Sequence, residues 1–373
     1  MKPITYHLNK IIAGFEAKKR LPVVRSHPQN LTFLMIDKCN ANCVMCGGDY
    51  LSSSSGRMIT FEKYSRIVAN LQMDKIEALS YGGAGDPLLN PHLGEIAQHV
   101  ADNYQHIETG IITNAINLDE KNCCLILDKI GMVTISLNAA QSGTYYKIMQ
   151  VDKFDKVCEN IARLRDLKEE RGSRCRIYLS IIISKRNTEE LVPFVELAKK
   201  FGASGIFILY CRFYPEQIRQ KHFDLPGNSL IQEESLFFHQ ELANKHLTKA
   251  GELAQKYGLD WHSEPLFGEK FIPRPCLYPW QSLYIGFDGE LYPCAAGEVL
   301  FRNKVEKGIY QSGNILKNNI KAIWNNEFFI TLRKTNSGHV LMEECACCGN
   351  SICWSGPDNL RSHILDWTKV LGT

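Results

Sequence analysis

The chain has 373 residues, 43 Lys and Arg against 40 Asp and Glu, a formal net charge of +3 and 45% hydrophobic residues. Such a balance suits a soluble globular chain of one or two domains and gives no reason to expect nucleic acid or an anionic membrane as the main partner. No apolar run reaches the roughly 18 residues of a membrane span. The first twenty residues lack the apolar core and cleavage site of a secretory signal, which points to the cytoplasm.

Residues 1–30 read as a short helix and an arm, with Lys18, Lys19 and Arg20 as solvated surface. The apolar run 31–36 has strand length and leads directly into Cys39, Cys43 and Cys46. A polar loop follows, then a helix over 61–73 opened by Thr60 as its N-cap. The strand 76–81 ends in Gly82-Gly83-Ala84-Gly85, and a helix follows Pro91. Further strands are predicted at 106–113, 132–138, 176–183 and 205–211. Helices are predicted between them at 118–127, 153–169 and 189–201, the second with Val157, Ile161 and Leu164 on one stripe.

Strands alternating with helices of this length predict an α/β fold with right-handed βαβ units. Six units curve into a partial (β/α)6 TIM-like barrel, with its chemistry at the C-terminal ends of the strands. Beyond residue 215 a polar helical stretch covers 231–257, and from Cys276 the chain is turn-rich and holds six cysteines. The expected division is an N-terminal arm (1–30), a barrel (31–215), a helical linker (216–260) and a small cysteine-rich auxiliary domain (261–373) with a β-hairpin.

Fourteen cysteines in a cytoplasmic chain point to metal or redox chemistry rather than disulfides. Cys39, Cys43 and Cys46 put three thiolates on one loop, enough to hold three irons of a [4Fe–4S] cube and leave the fourth open. Zinc with a distant fourth ligand and unliganded buried thiols are the alternatives. Cys276 and Cys294 flank a hairpin signal with Asp288-Gly289 at its turn, and Cys345 and Cys348 form a knuckle. A four-cysteine zinc site satisfies this second set as well.

The segment from Cys39 to Cys46 resembles the CxxxCxxC signature of radical S-adenosylmethionine enzymes. The resemblance implies that the open iron chelates the methionine part of S-adenosylmethionine, which is cleaved to a 5′-deoxyadenosyl radical. Gly83, Gly85 and Asp86 resemble the GxGEP segment that holds the methionine amine, with Asp one methylene shorter than the usual Glu. Thr113, Asn114, Ser136, Asn138 and Ser180, with Asn187, resemble further cofactor-contacting positions at strand ends. Met45 stands where an aromatic residue often packs near adenine. The C-terminal pattern resembles the SPASM and shorter twitch auxiliary-cluster domains. That resemblance implies one more [4Fe–4S] cluster on Cys276, Cys294, Cys345 and Cys348, with Cys347 as the rival of Cys348 and Cys353 as a spare.

The expected cofactors are two [4Fe–4S] clusters and S-adenosylmethionine, with a reducing donor such as flavodoxin or ferredoxin. The short N-terminal arm favours a small polar substrate, sugar- or aminocyclitol-like, oxidised at an alcohol or amine carbon. A radical epimerase, a modifier of ribosomally made peptides and a non-catalytic electron carrier are the alternatives. Cys211 is the candidate hydrogen donor, and Arg212 with Tyr214 the candidate substrate contacts. His262 and Glu264 are candidates to line the mouth from the linker, with solvated linker residues as the favoured reading.

Overall fold

In a parallel sheet every strand needs a covered face, and here the helices that follow the strands supply it. The computed structural model of the chain describes residues 2–46, 56–211, 234–268, 276–294, 297–337 and 341–345. Helix α1 (Ile4–Lys19) precedes strand β1 (Asn30–Phe33). Then come α2 (Phe61–Asn70), β2 (Ala78–Tyr81), α3 (Leu93–Asn103), β3 (Glu108–Thr113), α4 (Glu120–Lys129) and β4 (Met132–Ser136). Next are α5 (Ser142–Met149), α6 (Phe154–Arg171), β5 (Arg176–Ile183), α7 (Leu191–Lys200) and β6 (Gly205–Tyr210). The rest of the sheet is β7 (Asp260–Ser263), β8 (Ser282–Ile285) and β9 (Leu291–Tyr292), with α8 (Gln240–Tyr257) before β7.

Local signals account for several boundaries. The Thr60 side chain accepts from Lys63 N at 3.2 Å and starts α2, and Asp119 caps α4 through Asn122 N at 2.8 Å. Gly172 and Gly258 end α6 and α8 in the left-handed conformation.

The nine strands form one sheet in the order β7-β6-β5-β4-β3-β2-β1-β8-β9. Every pairing is parallel except β8 with β9. The outer face carries the main core, with Phe33 packed edge-on against Tyr64 of α2 at 5.9 Å. The register defines the inner face. Ser136, Ser180, Phe207 and His262 form one row across β4 to β7. Thr134, Tyr178, Gly205 and Asp260 form the row beneath it. Met132, Tyr178 and Phe207 make a small apolar cluster of their own on this face.

Two features depart from the sequence reading. A strand, β7, stands at the boundary expected between linker and auxiliary domain and continues the barrel sheet beyond β6. The hairpin around Asp288-Gly289 does not stand apart, because its first strand, β8, pairs in parallel with β1 from Asn30↔Ser282 to Phe33↔Ile285. His262 therefore sits on a strand, and Glu264 is only 5% exposed, so neither is a solvated linker residue.

Gly205 makes the β6–β7 pairing possible. A Cβ there would lie 2.5 Å from both Cβ and the carbonyl oxygen of Asp260 and 2.8 Å from the Tyr178 ring. The missing side chain leaves room for Tyr178 to donate to Asp260 Oδ2 at 2.6 Å. Gly205→Ala is expected to destabilise the fold by about 1–3 kcal/mol, the usual cost of overpacking. Urea or thermal denaturation of the purified variant checks this.

Candidate cluster and cofactor site

The three cysteines of the first motif follow β1, at the C-terminal end of the sheet, and the segment carrying them is tied down from both sides. Val44 N donates to Ile148 O at 2.9 Å and Asn42 N to Met149 O at 3.1 Å, so the end of α5 backs the loop. Cys46 N closes a tight turn on Cys43 O at 2.9 Å. On the other side the Gly82–Asp86 loop runs directly against the chain before Cys39. A Cβ on Gly85, whose φ is +60°, would lie 2.3 Å from Ile36 O and 2.4 Å from Lys38 O. Only glycine permits that approach. Asp86 N then donates to Lys38 O at 2.9 Å. Gly83 has a φ of +102° and leaves space for Leu34.

Asp86 is 2% exposed, and its carboxylate is occupied by three donors from the protein. Leu88 N donates at 3.0 Å, Asn114 N at 2.8 Å, and the Thr113 hydroxyl spans both oxygens at 3.1 and 2.9 Å. Burial raises the Asp86 pKa, and these hydrogen bonds oppose the rise. In this structure the carboxylate joins the end of β2 to the end of β3. It thereby aims Asn114, whose Nδ2 reaches Asn40 Oδ1 at 2.7 Å and Cys39 Sγ at 3.6 Å. Thr113 and Asn114 thus stand directly behind the first cysteine.

The other strand-end residues divide into two groups. Asn138, 3% exposed with a φ of +61°, accepts from Ile182 N at 2.9 Å and directs Nδ2 to Met149 Sδ at 3.3 Å. Asn187 bonds Asn138 O and Ile182 O at 2.9 Å each. Both amides brace the turn after β4. Ser136 is half-buried at the strand end, and the Ser180 hydroxyl reaches it at 3.4 Å. These two serines lie on the inner row. Met45 is half-buried against the main core. Cys211 is 5% exposed within that core, and its N–H donates to Ile183 O at 2.8 Å. Arg212 and Tyr214 lie outside the described residues.

The chemistry of the three thiols fits an iron–sulfur cluster. Burial pushes the Cys39 thiol up to about 11 and Cys43 well above its ordinary value, and the neighbouring cysteines push both further. Thiols this close and this desolvated become thiolates only when metal charge compensates them. Among the described residues no three His, Cys, Asp or Glu side chains converge on a single ion. Ligands to three separate irons need no such convergence. Three half-buried thiols on one loop fit that donor set.

The second set is seen in part. Burial raises the pKa of Tyr278, with Tyr284, Cys294 and Cys276 adding to the rise, and Tyr278 bonds Tyr284, whose own pKa is pushed up to about 12 by burial. Tyr284 stands on β8 beside Thr32 of β1 and bonds its side chain. Helix Glu327–Ser337 gathers the remaining segments: Arg333 Nε donates to Pro279 O at 2.8 Å, and Asn336 Nδ2 lies 3.8 Å from Cys345 Sγ. Glu344, next to Cys345, is fully buried and bonded by Lys304 and by Tyr310 at 3.0 Å. Cys347, Cys348 and Cys353 lie outside the described residues.

The sequence reading did not use Thr134, and it set His262 at the barrel mouth only as the lesser alternative to a solvated linker residue. Thr134 Oγ1 and His262 Nε2 are buried on the inner face without a hydrogen-bond partner among the described residues. His262 stacks on Phe207 at 4.8 Å. Burial lowers its pKa, which keeps the imidazole neutral at pH 7. The signal for β7 was faint, because Asp260-Trp261-His262-Ser263 has one large apolar residue.

Comparison with known proteins gives the arrangement a family. Residues 33–210 match the Radical SAM superfamily, and residues 276–349 match SPASM, an iron–sulfur cluster-binding domain. SuiB of Streptococcus suis, solved bound to S-adenosylmethionine, superposes with a TM-score of 0.66 at 15% identity, covering 96% of this chain and 81% of that one. Native anSMEcpe with bound AdoMet and Cp18Cys peptide gives a TM-score of 0.61 at 16% identity over 90% of this chain and 92% of that one. At these identities the likeness is one of fold. A Probable GTP 3′,8-cyclase of Saccharolobus islandicus is 24% identical over 187 residues, 48% of this chain and 56% of that protein. The match thus spans little more than half the length of that relative. An AdoMet-dependent heme synthase of Methanosarcina barkeri is 23% identical over 341 residues, 86% of this chain and 88% of that one. With the cysteine loop at the mouth of a partial barrel, the chain carries a radical SAM domain over residues 33–210 followed by a SPASM-type iron–sulfur domain over residues 276–349.

Proposed function

We propose that this enzyme oxidises a carbon bearing a hydroxyl or amine on a small polar substrate held at the mouth of the barrel. The observation that carries the reading is the polar inner face. Ser136, Ser180 and His262 share its upper row, and Thr134 Oγ1 and His262 Nε2 lack partners there among the described residues. A buried polar group without a partner costs about 1–3 kcal/mol, which a substrate with matching donors and acceptors would recover.

Cys39, Cys43 and Cys46 would hold the cluster that binds S-adenosylmethionine, with Met45, Gly83, Gly85, Thr113, Asn114 and Ser136 around the cofactor. When bound, these groups supply an adenosyl radical that takes a hydrogen atom from substrate, and a second cluster on Cys276, Cys294, Cys345 and Cys348 would supply an acceptor for the remaining electron. The protein's own part is to position substrate, exclude water and take up the released proton. Neutral His262 has an acceptor-capable nitrogen facing the inner side and suits that last task. Supporting the oxidative reading, the Tyr278–Tyr284 pair joins Cys276 and Cys294 to β1, the strand that leads to Cys39. Cys211 remains the proposed donor if the reaction returns hydrogen, although its burial in the main core speaks for a packing role.

The deciding experiment incubates the reduced protein with S-adenosylmethionine and a panel of sugars and aminocyclitols deuterated at carbinol or amine carbons. Oxidation places deuterium in 5′-deoxyadenosine and gives a product two hydrogens lighter. A product of unchanged mass carrying solvent hydrogen at that carbon would instead make the enzyme an epimerase.

Iron content tests the ligand sets. The anaerobically reconstituted chain is expected to bind about eight irons, and the variant with Cys39, Cys43 and Cys46 all replaced by Ala about four. One zinc with four irons in the parent chain would reassign the C-terminal set to structural zinc.

Asp86 gives a third check. Asp86→Ala strands three donors around a buried position and frees Asn114. It is expected to lower stability by about 1.5–3 kcal/mol and to weaken S-adenosylmethionine binding about tenfold or more. Asp86→Asn, which keeps one acceptor oxygen, should fall between parent and Ala. Denaturation and equilibrium binding of the cofactor to the cluster-loaded variants measure the two effects, and unchanged values in Asp86→Ala would remove Asp86 from the site.

A further inference from the structure

Helix α1 is built inside out. The face it turns to the protein is largely polar: Tyr6, Asn9 and Glu16 are buried there with Ala13 and Ala17. Each polar side chain is used. Tyr6 donates to Glu77 at 2.9 Å, and Asn9 bonds His27 N at 2.8 Å and Lys75 O at 3.3 Å. Glu16 accepts from Arg25 N at 2.6 Å and Ser26 N at 3.1 Å. The apolar side chains point away. Ile4 is 77% exposed, Leu8 55%, Ile11 70%, Ile12 38% and Phe15 57%. Their spacing puts all five on one stripe. Ten large apolar side chains are exposed among the described residues, and half of them belong to this stripe.

The charges around the stripe are of one sign. Lys18, Lys19 and Arg20 are exposed at the end of the helix, whereas Lys2 and Lys10 turn to the protein side and meet Tyr6 and Glu77. Glu16, the one acid on the helix, is 4% exposed and engaged with backbone N–H groups. A second copy packed on the same stripe would bring cations to cations with no exposed acid on the helix to pair them. An apolar stripe bordered by Lys and Arg matches a surface that offers both apolar depth and anionic groups. We propose that α1 is an interfacial membrane anchor, lying in the headgroup layer of an anionic bilayer with Ile4, Leu8, Ile11, Ile12 and Phe15 inserted. No helix among the described residues is long and apolar enough to cross a membrane, so the contact is with the surface.

The test is co-sedimentation of the cluster-loaded full chain with vesicles of phosphatidylcholine, with and without about one third phosphatidylglycerol. Binding is read without turnover and so does not depend on the proposed chemistry. The chain is expected to sediment with the anionic vesicles, to remain free with the neutral ones, and to be released by salt. Ile11→Glu/Phe15→Glu changes two exposed side chains, should leave iron content intact, and should lower partitioning at least about tenfold. Lys18→Ser/Lys19→Ser should weaken binding and flatten its salt dependence. A parent chain that stays in the supernatant overturns the proposal, as does undiminished binding by Ile11→Glu/Phe15→Glu. A dimer in solution that the same double variant dissolves, with no vesicle binding by the parent, would assign the stripe to a second copy instead.

Discussion

The cysteine loop owes its position to a contact that no side chain can enter. At Gly85 the chain after β2 crosses so close to the carbonyls of Ile36 and Lys38 that a Cβ would overlap both. Once that crossing is made, Asp86 N reaches Lys38 O, and the Asp86 carboxylate is carried to the end of β3. Three consecutive strand ends are thereby locked together at one point. The free energy is local, a few hydrogen bonds and the absence of one carbon. Its effect is to remove slack between the thiols and the polar residues behind them, which a site holding both a cluster and its ligand needs.

Buried carboxylates in such a place invite a catalytic reading. The geometry here supports a mechanical one first. Three protein donors surround Asp86, and their hydrogen bonds offset the burial that would otherwise favour its neutral form. The same holds for Asn138 and Asn187, whose amides satisfy backbone groups where the chain leaves β4 and β5. The groups left to meet a ligand are less conspicuous in sequence: the two serines at the ends of β4 and β5, the hydroxyl of Thr134 and one nitrogen of His262.

Much of the barrel was legible because its strands are continuous apolar runs, as doubly covered parallel strands must be. Residues 176–183 form β5 from end to end as periodicity predicts, and β6 differs from its predicted span by one residue. What could not be read is β7. Its inward positions carry Asp260 and His262, and its pairing depends on the absence of a side chain at Gly205, 55 positions earlier in the chain. No local window contains that information. The partner of the hairpin was hidden for the same reason. Asp288-Gly289 announces a turn, but nothing between Ser282 and Tyr292 says that β8 will pair with β1 rather than stand alone. Helix α1 was foreseen as a helix, yet its orientation was not. A stripe of five apolar residues normally predicts the buried face, and here Asn9 and Glu16 reversed it by satisfying backbone groups of the arm and of the segment before β2.

The pairing of β8 with β1 bears on how two clusters would work together. Strand β1 leads to Cys39, and β8 carries Tyr284, which with Tyr278 adjoins Cys276 and Cys294. Cys39 and the Cys276–Cys294 pair thus both adjoin one strand pair with four residues in register. Electron transfer over a fixed span needs a fixed span, and a hydrogen-bonded ladder supplies one more reliably than a linker. Changes at Thr32 or Tyr284 would act on that spacing, because the two side chains bond each other across the β1–β8 pair.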